Sequence, residues 1–332
     1  MKERLHYIDL VKGILILMVA YGHVGYQICH NDGYDNVFMG KLGDISNVWV
    51  AFYMPAFFVI TGMCSHFNKP LKPFLISQFK SLIIPAFTLA LIVNALGSLF
   101  TDRDFYLGIK VFLKGNSYWF LFSLFVAKLI YYCLDKYIRK MKNIVFVALV
   151  LYLLFVMVHN YLPQAPNYWC WIHALGLTPY LALGQILKKY DVLNKKQIVY
   201  ISGGAYLIVL AIFLFFDIKI PRITGGIYVP VAQLIPCLIL SITGSITVLN
   251  ICKQIANVNW LECLGKHSLV IYCIHEGLIA IVSPWFGNNI VQATRGQAFV
   301  YYTMIWIYVV TVSWLISLLL NRKPINILLG KF

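Results

Sequence analysis

Residues 7–23 read YIDLVKGILILMVAYGH. Apolar side chains fill this stretch except at Asp9, Lys12 and His23. Carried on to residue 28, it has the roughly 20 residues that a helix needs to cross a hydrocarbon core about 30 Å thick. It does not read as a secretory signal. Asp9 and Lys12 stand where such a segment is purely apolar, and no convincing cleavage site follows.

The remainder of the 332 residues repeats this character: 61% are hydrophobic and only 12% charged. Mean hydropathy is +0.77. Soluble domains hold about 25% charged residues, so a water-exposed globule of this size could not cover itself. Apolar runs recur near 46–65, 82–100, 117–134, 143–161, 170–187, 197–216, 227–251, 264–283 and 298–320, making about ten with the first. The reading is an all-α, polytopic membrane helical bundle forming a single integral-membrane domain over 1–332, with no soluble domain. Connecting segments are short, and no internal repeat of the kind that builds two-halved transporters is evident.

Net charge is +15, from 27 Lys and Arg against 12 Asp and Glu. A basic balance can signal nucleic acid, but that needs a soluble basic face, and none is available here. The charges instead follow the loops. With the N-terminus inside, inner segments hold 18 Lys and Arg, Lys2 and Arg4 among them; outer segments hold 7, Arg103 among them. That bias puts both termini in the cytoplasm of a cell-membrane protein. The eight cysteines lie mostly inside the apolar runs without a CxxC pair, as buried structural thiols do.

Ionisable residues inside membrane helices are costly and are functional candidates by default. Lys12 and His23 are eleven residues apart, close to three helical turns, so both project from one face about 16 Å apart along the axis. Asp9 lies one turn before Lys12 and can pair with it. Lys12 also has a plain alternative, snorkelling to inner headgroups. His23 has one too, a hydrogen bond to a neighbouring helix. Lys80, in FKSLIIP (79–85), either marks topology or holds a phosphate. Tyr118 and Trp119 open the fourth span as an aromatic belt would. In FYMPAFFVITG (52–62), Pro55 is expected to kink the helix and Gly62 to allow close packing.

The ninth span, LGKHSLVIYCIHEGLI (264–279), holds His275 and Glu276 side by side. Neighbours on a helix point about 100° apart, so one is expected to face the interior and the other a second helix. Glu276 in an apolar span should be paired or protonated. His173 reads as structural, and His6 and His267 sit at span ends, where solvated histidines are ordinary. No HxxxH or HExxH spacing occurs, so no metal motif is expected, nor is there a glycine-rich phosphate loop.

In order, YIDLVKGILILMVAYGH, FYMPAFFVITG, YWFL (118–121), LGKHSLVIYCIH (264–275) and RKPINILLG (322–330) resemble the acyltransferase-3 superfamily of integral-membrane acyltransferases, nearest its fucose O-acetylase-like branch. The family's first-span motif is a basic residue, ten residues, then histidine; Lys12 and His23 match it, with lysine in place of the usual arginine. Thr61 stands where many relatives carry serine. The resemblance implies transfer of an acyl group, typically acetyl, from cytoplasmic acyl-CoA to a hydroxyl of a cell-surface or lipid-linked glycan. No bound cofactor is implied; acetyl-CoA or another acyl-CoA is the co-substrate. His23 would act as general base or carry the acyl group, and Lys12 and Lys80 would meet the CoA phosphates. Many relatives add an esterase-like outer domain, for which these residues leave no room. A transporter or flippase of glycan intermediates, or a non-catalytic export subunit, fits composition and topology equally well.

Reporter fusions test the orientation. Those placed after Phe67 and after Lys142 are expected to score as cytoplasmic, and one within 161–168 as external.

Overall fold

The computed structural model describes residues 6–31, 33–34, 36–100, 104–115, 117–255 and 258–331. Lys2, Arg4 and Arg103, which contribute to the charge bias, lie outside these. The chain is a bundle of helices: α1 (His6–Tyr26), α2 (Val37–Asp44), α3 (Tyr53–Cys64), α4 (Leu71–Gln78), α5 (Ile84–Phe100), α6 (Phe105–Leu113), α7 (Trp119–Tyr137), α8 (Met141–Tyr161), α9 (Trp171–Lys189), α10 (Gln197–Phe215), α11 (Leu234–Gln254), α12 (Asn259–Lys266), α13 (Ser268–Val291) and α14 (Arg295–Leu320). A two-strand ribbon, β1 (Arg222–Ile223) against β2 (Ile227–Tyr228), closes the α10–α11 connection.

Among the described residues, nine helical stretches are long and apolar enough to cross a membrane. The expected tenth is α7. It has 19 residues, but Lys128, Asp135 and Lys136 lower its hydropathy, so the sequence count of ten becomes nine apolar spans and one charged helix of similar length. Two expected spans also shift. The third begins at Leu71, because helix runs through α4 and a π-helical turn at Phe79–Ile83 into α5. The eighth, expected from 227, yields Ile227 and Tyr228 to the ribbon, and its helix starts at Leu234.

α1 is the hub, packed against α2, α3, α11, α12, α13 and α14. It is surrounded because its side chains are apolar nearly all round. Leu10, Val11, Leu15, Ile16, Val19, Ala20 and Val24 are all buried. The closest approach is to α12, backbone on backbone. A Cβ on Gly265 would overlap the carbonyl oxygen of Asp9, and one on Gly13 the carbonyl oxygen of Leu261. Small residues at a crossing are what bring membrane helices into contact where lipid supplies no hydrophobic drive. Gly62 of α3 meets the Leu181 carbonyl of α9 in the same way, as expected from its place in FYMPAFFVITG.

Pro55 does not kink its helix. α3 starts at Tyr53, which puts Pro55 in the first turn, where a missing N–H leaves no helical bond unmade. The Ala51 carbonyl one turn before it accepts from Ser241 Oγ at 2.7 Å instead, tying α3 to α11.

Gly265→Ala is expected to lower the unfolding temperature of the detergent-purified protein, by the equivalent of about 1–3 kcal/mol of overpacking. Gly40→Ala, which meets nothing within 4 Å, should leave it unchanged.

Candidate functional site

α1 runs unbroken from His6 to Tyr26, so Lys12 and His23 do share one continuous helix. Its C-terminal half is clasped by aromatic side chains that hydrogen-bond to its backbone. Trp306 Nε1 donates to the Leu17 carbonyl at 3.2 Å and Trp49 Nε1 to the Met18 carbonyl at 3.3 Å. The Tyr302 hydroxyl donates to the Tyr21 carbonyl at 2.7 Å and accepts from the Gly25 N–H at 3.3 Å. It thus bridges one rung of the helical ladder around His23. The helix then loosens into a π-helical turn at Gln27–Asn31, a form often found at functional sites.

α13 brings His275 and Glu276 to this point. His23 Nδ1 lies 2.6 Å from Glu276 Oε1 and 3.2 Å from His275 Nε2. The two imidazoles are 4.8 Å apart at 52°. The neighbours divide as expected, one inside the bundle and one turned to a second helix, and both also reach the same residue. His275 is 1% exposed and does so from inside the bundle. Glu276, with a side chain 55% exposed, does so from the rim. The 100° between them is the angle at which two side chains flank a ring on the next helix.

Hydrogen-bond chemistry then assigns the ring protons. His275 Nδ1 faces the carbonyls of Tyr272 at 2.7 Å and Ile271 at 3.1 Å. Carbonyls only accept, so this nitrogen carries the proton and Nε2 is a lone pair. His23 Nδ1 consequently faces two acceptors, the Glu276 carboxylate and the His275 lone pair. It must donate, which leaves His23 Nε2 as the basic nitrogen. An imidazole whose far N–H is held by a carboxylate has the arrangement of a general base kept in one tautomer.

The same three donor atoms lie within 4.8 Å of one another, a group that could hold a metal ion. Sequence spacing showed no such motif, since the donors come from two helices 250 residues apart. The 2.6 Å between His23 and Glu276 is nevertheless the length of a charge-assisted hydrogen bond. It is well short of the roughly 3.3 Å between ligands placed about 2.0–2.1 Å from tetrahedral zinc.

Of the other sequence candidates, Asp9 is buried and its carboxylate is 3.9 Å from Lys12 Nζ. Thr61 sits in the last turn of α3, at the opposite end of that helix from the Trp49–Met18 bond that sets its start against α1. It is not part of the His23 group. Tyr118 precedes α7 in the left-handed conformation, and its ring lies 6.3 Å from Tyr272, itself 6.0 Å from His275. Trp119 is not a lipid-facing belt residue. Its ring lies 5.1 Å from His173 and against Gly225 of the ribbon turn. His173 is structural: Asn167 and the Thr224 carbonyl occupy both its nitrogens.

Lys80, on the π-helical turn before α5, lines a cavity of about 730 Å³ together with Lys266, His267, Asn321 and Lys331. Lys12 is not among the lining residues. Lys12 and Lys80, expected to meet the same phosphates, do not share this cavity, because α12 packs directly on α1 over Asp9–Gly13 and contributes the wall itself. The sequence reading missed Lys266 and Lys331, and passed over His267 as solvated; His267 Nδ1 is 2.7 Å from Ser317 Oγ.

The acyltransferase-3 family model, described as an acyltransferase domain, matches residues 5–318. The chain belongs to this family. Comparison with curated proteins and with solved structures gives no match. Within this acyltransferase the match takes in His23, His275 and Glu276, and ends before RKPINILLG, one of the stretches on which the resemblance was drawn.

Glu276→Gln removes the carboxylate but keeps the shape. It is expected to lower kcat by about 10–100-fold, the loss of one charge-assisted hydrogen bond, with KM for the acyl donor little changed. His275→Ala should lower both thermal stability and kcat per folded molecule, since the ring fills the core and also touches His23.

Proposed function

We propose that this membrane acyltransferase moves an acyl group, acetyl in the first instance, from cytoplasmic acyl-CoA to a hydroxyl of a cell-surface or lipid-linked glycan on the outer side. His23 is the general base. The single observation carrying this is the His23 ring held through Nδ1 by Glu276 and His275, which leaves Nε2 to take a proton.

The step balances as a direct transfer. As the sugar oxygen attacks the thioester carbon, its proton passes to His23 Nε2. The tetrahedral intermediate expels the CoA thiolate, which takes the proton from the imidazolium. The products are an O-acyl sugar and CoA thiol, and His23 returns to its starting tautomer. Glu276 stabilises the imidazolium while it exists, and His275 keeps the ring from turning. His23 stands in the outer half of α1, and the cations Lys12 and Lys80 stand toward the inner face, where the donor phosphates would be held. That arrangement suits a donor and an acceptor that arrive from opposite sides of the cytoplasmic membrane, with both termini inside.

Detergent-purified protein given acetyl-CoA and a glycan acceptor is expected to release CoA. His23→Ala should lose ~10²–10⁴-fold in rate, the usual contribution of a general base, with folding verified by gel filtration. Labelled acetyl-CoA without acceptor should leave no stable label on the protein; label on His23 would establish a double displacement instead. Folded wild-type protein that consumes no acetyl-CoA but moves glycan lipids across vesicles would sink the acyl-transfer reading in favour of a flippase.

A further inference from the structure

The β1–β2 ribbon is fastened to the bundle at several points. His173 Nε2 donates to the Thr224 carbonyl at 3.0 Å, and Asn160 Nδ2 donates to the Val229 carbonyl at 2.9 Å. Thr224 Oγ1 closes the turn onto the Gly226 carbonyl at 2.8 Å. Ile223 and Val229 are fully buried. A Cβ on Gly225 would come within 3.1 Å of the Trp119 ring, so the turn sits directly on the start of α7. A short ribbon held in this way presents its side chains in fixed places.

Arg222 is one of them. It stands opposite Tyr228 in the register, and directly opposed residues of an antiparallel pair project from one face. Lys219 Nζ lies 4.3 Å from the centre of the same Tyr228 ring. Two cations thus flank one tyrosine. Arg222 Nε is buried without a hydrogen-bond partner, and among the described residues its guanidinium makes no ion pair. A charge so placed has lost part of its hydration without compensation, a cost that an oxyanion at its open end offsets. The planar fork of arginine matches phosphate or carboxylate through two nitrogens at once.

The surroundings tie this charge to the His23 group. Tyr53, at the start of α3, lies within electrostatic reach of both Arg222 and Glu276. Tyr118, next to Trp119 in the chain, neighbours Tyr272 and through it His275. The cations assigned above to the donor phosphates stand elsewhere: Lys12 is about three helical turns from His23 along α1. An anion at Arg222 therefore belongs to the other substrate.

We propose that Arg222 binds an oxyanion, phosphate or carboxylate, carried by the acceptor glycan, so that a hydroxyl of the same molecule meets His23 Nε2. The proposal rests on the acyl-transfer reading above and narrows its acceptor to an anionic one, a sugar phosphate or a uronate. A donor acyl group ending in a carboxylate, or an anionic lipid headgroup, would present the same chemistry, and the test separates them.

The first measurement needs no turnover and no variant. Protein in non-ionic detergent is treated with p-hydroxyphenylglyoxal, which attacks accessible guanidinium groups, and the modified peptides are read by mass spectrometry. N-acetylglucosamine 1-phosphate or glucuronate should protect Arg222 while the exposed Arg139 and Arg295 are labelled as before. Methyl glucoside should not protect it, and His23→Ala should be protected like wild type. No protection by either anionic sugar overturns the proposal. Protection by phosphatidylglycerol but by neither sugar makes Arg222 a lipid anchor and overturns it equally. The second measurement is kinetic, with acetyl-CoA as donor. Arg222→Gln should raise KM for the anionic acceptor about 10–100-fold, as loss of a charged hydrogen bond does, with kcat and donor KM little changed. Arg222→Lys should recover part of the loss. An unchanged acceptor KM in folded Arg222→Gln sinks the proposal and leaves the acyl-transfer reading standing. A rise confined to the KM of succinyl-CoA puts the oxyanion on the donor, which also sinks it. Protection by the sugars in a protein that consumes no acetyl-CoA keeps the anion site and sinks the acyl-transfer reading instead.

Discussion

The contact of α12 with α1, glycine against carbonyl at Gly13–Leu261 and Gly265–Asp9, decides how the rest of the protein is arranged. α12 is too short to cross a bilayer, so its place depends on lying flush along the N-terminal half of α1. That fixes where the chain turns into α13 one residue later. The height of α13 against α1 follows, and with it the meeting of His275 and Glu276 with His23. It also puts Lys266 into the cavity at Lys80 rather than leaving Lys12 to face it. One close approach thus sets the positions of both the His23 group and the Lys80 cavity.

Around His23 the bundle answers a different problem, that of holding an ionisable ring in an apolar setting. Polar atoms away from water are stable only when matched. Here the matching also selects a tautomer. Backbone carbonyls of α13 fix the proton of His275, its lone pair and the Glu276 carboxylate fix the proton of His23, and the basic nitrogen is left on the far side of the ring. The clasp of Trp49, Trp306 and Tyr302 on the α1 backbone keeps the ring at this level. Such side chains are positioning groups, and their work is to limit how far His23 can drift from its two acceptors.

Much of the site was legible along the chain. An apolar helix cannot carry Asp9, Lys12 and His23 without reason, and the eleven-residue interval between Lys12 and His23 required only that α1 be continuous. His275 and Glu276 stood out for the same reason. Their common target did not, because a 100° separation on one helix says nothing of where the next helix stands. Trp119 read as a belt residue because end-of-span aromatics usually are; its partners, His173 and Gly225, come from segments that only the folded chain brings near. Lys266 and Lys331 looked like ordinary topological charges, since a cation at a loop has the same sequence signature whether it faces water or a shared cavity.

Composition and local pattern by themselves determined the membrane setting, the helical class and which few polar residues stand out, because runs of about 20 apolar residues satisfy their backbone in lipid as helices and make every buried charge conspicuous. The tertiary structure alone decided that α7 is a charged member of the bundle, that Pro55 opens a helix rather than bending one, that two adjacent residues share one imidazole, and that the C-terminal turn completes a cavity at Lys80. The last two depend on the distance between helices, and the closest approaches, at Gly13, Gly62 and Gly265, join segments remote in sequence, which no periodicity within one segment can encode.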